Sequence, residues 1–113
     1  MPTSKRNGKP MRLDVQRDRS ARNDLVEIWE YISENSVSDT IAERIIERIK
    51  ASCDKIGNVP QGGRARADIE PGLRMASFER SAVILHVVEA ERVLVRNIFH
   101  GGRDFEALMG NAL

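Results

Sequence analysis

Residues 19–34 read RSARNDLVEIWEYISE and residues 40–55 read TIAERIIERIKASCDK, and this pair of stretches decides the architecture. In the first, Leu25, Ile28, Trp29 and Ile32 fall at i, i+3, i+4 and i+7, which puts them on one stripe of an α-helix. A helix over Arg19 to Glu34 follows, with Asn35 and Ser36 marking its end. In the second, Ala42, Ile45, Ile46, Ile49, Cys53 and Ile56 make another stripe. Ser38 or Asp39 can cap its start, and Gly57 and Pro60 stop it, so the spacing predicts a helix over Thr40 to Lys55. The connection between the two is short, so they form an antiparallel hairpin whose stripes face a common core.

On the N-terminal side of this hairpin, Met11, Leu13 and Val15 alternate with polar residues, the pattern of a strand with one buried face. Met1 to Pro10 is polar and basic, with too little apolar surface to offset the entropy of ordering, and reads as a disordered tail. On the C-terminal side, Asn58 to Gly72 is rich in glycine and proline and reads as a loop or extended crossover. Three β-type runs come next, Leu73 to Glu79, Ala82 to Glu89 and Arg92 to Phe99, separated by Arg80–Ser81 and Ala90–Glu91. The middle run is almost wholly apolar (Val83, Ile84, Leu85, Val87, Val88), as a central strand covered on both faces requires. Gly101–Gly102 ends the last run, and Arg103 to Met109 is expected to form a short C-terminal helix with Phe105, Leu108 and Met109 inward. The fold class is therefore α+β: an N-terminal strand, an antiparallel helical hairpin, a three-stranded antiparallel sheet and a short C-terminal helix. Residues 11–113 make a single domain after the 1–10 tail.

Composition narrows the function. The chain has 113 residues, 41% hydrophobic and 31% charged, which suits one compact domain. No stretch approaches the roughly 18 consecutive apolar residues of a membrane span, and the N-terminus lacks the apolar core of a signal peptide. Cys53 is the only cysteine, so no internal disulfide can form and a reducing cytoplasm is the expected compartment. The net charge of +1 excludes a strongly basic nucleic-acid binder, but it sums unlike blocks. Residues 1–22 hold seven Lys/Arg against Asp14 and Asp18, whereas residues 23–56 hold eight carboxylates against four cations. Solvated helix faces explain such blocks, and so does a surface polarised for a protein partner.

Candidate chemistry is sparse. One cysteine and two histidines at unrelated spacings give no metal site, and neither Gly62–Gly63 nor Gly101–Gly102 has the context of a phosphate loop. No cofactor is expected. Cys53 lies on the apolar stripe of its helix and reads as a small buried hydrophobe. His86, the polar interruption of the central strand, reads as a partly buried, satisfied imidazole rather than an acid or base. His100 stands at the end of the last strand, close to Arg103 and Asp104. These three could handle a phosphodiester, with the cation stabilising developing charge; they could equally cap the short helix and form an ordinary ion pair, which is the favoured role.

The order of short motifs carries a resemblance. Ala21, Asp24, Leu25, Ile28 and Tyr31 resemble the "A..DL..I..Y" opening helix of the ParE branch of the ParE/RelE toxin superfamily. Ala42 to Ile56 resembles its second helix. Pro60 with Gly63-Arg64, then Pro71-Gly72-Leu73-Arg74, and finally Val95-Arg96-Asn97-Ile98-Phe99-His100-Gly101-Gly102-Arg103-Asp104 resemble the family's later markers in sequence order. The likeness spans about Met11 to Leu108.

The resemblance implies the toxin of a type II toxin–antitoxin module that stabilises a plasmid or chromosome. Such a toxin is neutralised by a ParD-like or other small antitoxin in a hetero-oligomer, and arrests growth when released. The ParE branch is known for inhibiting DNA gyrase, a type II topoisomerase, by binding it. The RelE branch instead cleaves ribosome-bound mRNA. Here the only tyrosine is Tyr31, no Tyr or Lys follows Asp104, and no lysine follows Lys55. A nuclease would depend on His86 or His100, with Arg74, Arg96 or Arg103 holding phosphate, because arginine is a poor proton-transfer group. The leading expectation is a protein-binding toxin, without direct nucleic-acid or membrane contact. Arg74, Arg96, His100, Arg103 and Asp104 would meet its partners, and an amphipathic antitoxin segment would lie across the sheet and hairpin. The alternatives are an endoribonuclease, with His100, Arg74 and Arg103 as its site, or a non-toxic interaction domain of the same fold.

Overall fold

A computed structural model describes residues 12–35, 38–79 and 81–100. The elements run β1 (Asp14–Arg17), α1 (Arg19–Glu34), α2 (Asp39–Ile56), β2 (Arg64–Ala65), β3 (Leu73–Phe78), β4 (Ala82–Val88) and β5 (Arg92–His100). Both helices match their expected stripes. Asp18 caps α1, its carboxylate accepting the Arg19 N–H at 2.7 Å, and Ser38 caps α2, its hydroxyl accepting the Thr40 N–H. The far end of α2 is closed by the segment leading into β1: Arg12 Nη2 donates to the Asp54 carbonyl and the Leu13 N–H donates to that of Gly57. A cation placed there also complements the helix dipole. A Cβ on Gly57 would lie 2.2 Å from the Leu13 carbonyl oxygen, so the crossing of helix end and strand entry depends on a residue without one.

The sheet corrects the expected architecture. It has five strands in the order β1-β5-β4-β3-β2, with β1 parallel to β5 and the remaining pairs antiparallel. The expected three-stranded antiparallel sheet is its β3-β4-β5 centre. Two strands were added by pairings that local pattern does not reveal. β1 docks on a strand far along the chain, Asp14 opposite Arg92, and β2, inside the stretch read as a loop, is only two residues long. The expected C-terminal helix at Arg103 to Met109 lies outside the described residues.

A bulge in β5 sets which residues face the helices. Leu85 pairs with Asn97 but His86 pairs with Val95, leaving Arg96 as the extra residue. The inward series therefore runs Val93, Val95, Ile98 rather than keeping strict alternation. These three join Phe78, Ala82 and Ile84 beneath the α1 and α2 stripes in the main core. On the opposite face Leu73 and Leu85 are buried with Ile69, Met75, Val83, Val87 and Phe99 against them. Thus β4 is covered on both faces, as its apolar run required.

Candidate functional site

The residues singled out by sequence are placed on the sheet, but each described arginine is already engaged. Arg74, on β3, donates from Nε to the Gly62 carbonyl at 3.0 Å. Arg96, at the bulge, forms a two-pronged pair with Glu70, at 2.9 and 3.3 Å. Both partners of that pair are about one-third exposed, so its role is to orient the guanidinium more than to stabilise the fold. His100 closes β5 opposite Ala82, and partial burial holds its imidazole below the ordinary pKa. Arg103 and Asp104 lie outside the described residues. The structure therefore does not gather Arg74, Arg96 and His100 into one cluster.

His86 is 1% exposed and faces Arg74 across the β3-β4 ladder. Its Nε2 lies 3.3 Å from the Pro60 carbonyl, which can only accept, so Nε2 carries the proton and Nδ1 the lone pair. Burial lowers its pKa, the Arg74 charge lowers it further, and the Pro60 bond opposes both. The ring is neutral, but the satisfied, partly buried imidazole expected from sequence is corrected: it is fully buried, and Nδ1 has no hydrogen-bond partner among the described residues. Cys53 is fully buried, and burial pushes its thiol up to about 11, so thiolate chemistry is suppressed. Among the described residues no cluster of three or more His, Cys, Asp or Glu side chains could hold a metal ion.

The core motif has a division of labour. Leu25, Ile28 and Ile32 are buried, Trp29 is half-buried against them, and Tyr31 is 58% exposed. Asp24, from the same motif, reaches the sheet: its carboxylate accepts the Ile98 backbone N–H at 2.8 Å and the Asn97 side-chain amide at 3.3 Å. Sequence reading listed Asp24 as a family marker but gave it no role. A lone carboxylate among apolar stripe positions was the available signal, because a polar side chain near a core is retained where it meets a backbone donor.

One surface feature had no sequence signal at all. A groove of about 330 Å³ lies between α1 and α2 at the end of β1. Leu25, Trp29 and Ile46 form its floor, and Val26, 57% exposed, its lip. Arg17, Arg22 and Lys50 line it as well, and no carboxylate does among the described residues. Helix geometry explains the grouping: Arg22, Val26 and Trp29 are spaced i, i+4, i+7 along α1, while Ile46 and Lys50 are spaced i, i+4 along α2.

Comparison with known proteins resolves the class of molecule this scaffold represents. Residues 15–105 match the family described as ParE toxin of type II toxin-antitoxin system, parDE, and the chain belongs to that family. The toxin ParE3 of Caulobacter vibrioides is 29% identical over 96 residues, covering 85% of this chain and 94% of that protein. A solved structure of the chromosomal ParDE toxin–antitoxin system from P. aeruginosa shares the fold, with a TM-score of 0.69 at 19% identity. The match covers 80% of this chain and 97% of that one.

Proposed function

We propose that this toxin acts by binding, held inactive by a small cognate antitoxin in a hetero-oligomer and inhibiting DNA gyrase when released in the cytoplasm. The observation that supports binding over catalysis is the use already made of the polar groups on the sheet. His86 is buried and neutral, Arg74 is bonded to Gly62, and Arg96 is held by Glu70. A ribonuclease needs such groups free to meet phosphate and exchange protons. The uneven charge favours the same reading, because the positive excess lies in residues 1–22 while the body of the chain is net negative. His100 at the sheet end, together with Arg74 and Arg96 elsewhere on the sheet and with Arg103 and Asp104 beyond the described residues, remains the proposed set of contacts for the partners.

Purified toxin should inhibit supercoiling of relaxed plasmid by gyrase, and the product of the small reading frame expected directly upstream should relieve it. Untouched supercoiling at concentrations that arrest growth would remove gyrase as the target. A second reading rests on His100, which stands at the end of β5 and whose partial burial favours the neutral imidazole that a general base must start from. In that case primer extension after induction would show codon-linked mRNA cuts that His100→Ala abolishes.

A further inference from the structure

We infer that His86 is an acid-released latch on the connection between α2 and β2: the neutral ring pins residues 58–63 to the sheet, and protonation frees them and opens the cavity beneath the end of α2.

The connection is fixed at both ends and thinly held between them. The Gly57 carbonyl accepts the Leu13 N–H at one end, and Arg64–Ala65 pairs with β3 at the other. Between these points Asn58, Val59, Gln61 and Gly63 are exposed, so little apolar burial holds the segment down. Two side chains of the sheet hold it instead. Arg74 and His86 stand directly opposite each other on β3 and β4, and each donates to a carbonyl of the connection: Arg74 Nε to Gly62 at 3.0 Å, and His86 Nε2 to Pro60 at 3.3 Å. The guanidinium rung does not change with pH, whereas the other belongs to the side chain that titrates closest to neutrality.

His86 cannot accept a proton where it stands. Nδ1 is buried and has no hydrogen-bond partner among the described residues, so a proton there would be a donor without an acceptor. The charged side chains around the ring are Arg74 from β3 and Lys55 from α2, both cations, while β5 places Val95 opposite it and the connection offers only the Pro60 carbonyl. The imidazolium must therefore reach water. His86 lines a cavity of about 240 Å³ whose other walls are Lys55 and Ile56 of α2, Ala76 of β3, and Val59, Gly62 and Gly63 of the connection, and among the described residues no carboxylate lines it. Ile56 and Ala76 are tied into the main core, so the connection is the wall that can lift. Above pH 6.5 the latch is closed; below it the open form binds a proton that the closed form refuses, and the open fraction grows as pH falls.

Hydrogen exchange of the intact chain, followed by NMR and corrected for the intrinsic pH dependence of amide exchange, tests the latch. The Val59 and Gly62 amides should be less protected than those of the β4-β5 ladder, and their protection should fall by up to ~10-fold for each pH unit below 6.5. His86→Gln, which carries an N–H donor and does not titrate, should hold their protection constant over that range. Arg74→Met removes the neighbouring cation and should raise the pH at which the His86 ring nitrogens titrate. Val59 and Gly62 protected as strongly as the ladder would mean that the ring is protonated only when the whole domain unfolds, which overturns the latch. Protection independent of pH, or a fall that persists in His86→Gln, overturns it as well. Should that variant fail to fold, the wild-type ring decides: a His86 that titrates while the ladder stays protected supports the latch, and one that stays neutral until the domain unfolds overturns it.

Discussion

The Asp24 carboxylate and the Ile98 backbone N–H meet at 2.8 Å, where helix α1 crosses the strand β5. β1 pairs with β5 only as far as Arg17 opposite Val95, and just beyond that point Arg96 bulges out of the β4-β5 ladder. Asp24 therefore takes up a donor where strand pairing has run out, and it also fixes Asn97. Removal of the carboxylate in Asp24→Ala strands both donors, and should destabilise the protein by about 1–3 kcal/mol in urea unfolding. Asp24→Asn keeps one acceptor oxygen and should cost less. Equal stability of all three proteins would show the contact to be energetically idle.

Two glycines share a left-handed backbone but differ in what surrounds them. Gly63 has φ +77°, and a Cβ there would lie 2.4 Å from the Met75 carbonyl oxygen; Gly72 has φ +83° with open space around it. Gly72→Ala should therefore cost only the conformational term, about 1–2 kcal/mol. Gly63→Ala adds a clash with backbone that cannot rotate away, and should cost about 2–4 kcal/mol. The order of the two in thermal melts checks the argument.

Protonation of His86 should erode stability in acid. Its pKa is lowered in the folded state, so below the ordinary value of 6.5 the unfolded chain binds a proton that the folded chain refuses. The stability is fully present above that value and is lost progressively as pH falls below it. His100 contributes with the same sign through its own burial. A melting temperature that declines below pH 6.5, with a shallower decline in His86→Leu, is the expected result; parallel declines would assign the effect elsewhere.

Cys53 should be silent towards thiol reagents in the native protein. It is fully buried and its thiol is pushed up to about 11. Ellman's reagent at mild alkaline pH should leave the folded chain unmodified and react with it once urea exposes the helix. Rapid native labelling would mean that the core opens around α2.

The hairpin was readable because its stripes are local. Leu25, Ile28 and Ile32 announce their helix within two turns, and the bounds of α1 coincide with those expected from spacing and capping. β1 and β2 were not readable to the same degree. Asp14 finds its partner at Arg92, and nothing within four residues of sequence encodes a neighbour that distant. Arg64–Ala65 is too short for an alternating pattern to register. The candidate site divides in the same way. His86 stood out on one strand as the polar interruption of an apolar run, whereas the groove cations come from three elements, Arg17 on β1, Arg22 on α1 and Lys50 on α2, that only the fold brings together. Arg74 and Arg96 drew attention as charges, and their engagement by Gly62 and Glu70 depends on loop geometry that sequence does not display.

The position of β5 has a consequence for biosynthesis. The last described strand lies between β1, the first, and β4, so both halves of the sheet are joined through it. A nascent chain that has emerged only through β4 has a helical hairpin and two antiparallel pairs, but Val93, Val95 and Ile98 are missing from the floor beneath the helices. Long-range pairing of this kind is slow and must wait until β5 has been made. Until β5 pairs, the stripes of α1 and α2 have only part of their apolar floor, so the hairpin and the sheet acquire their final packing in a single late step.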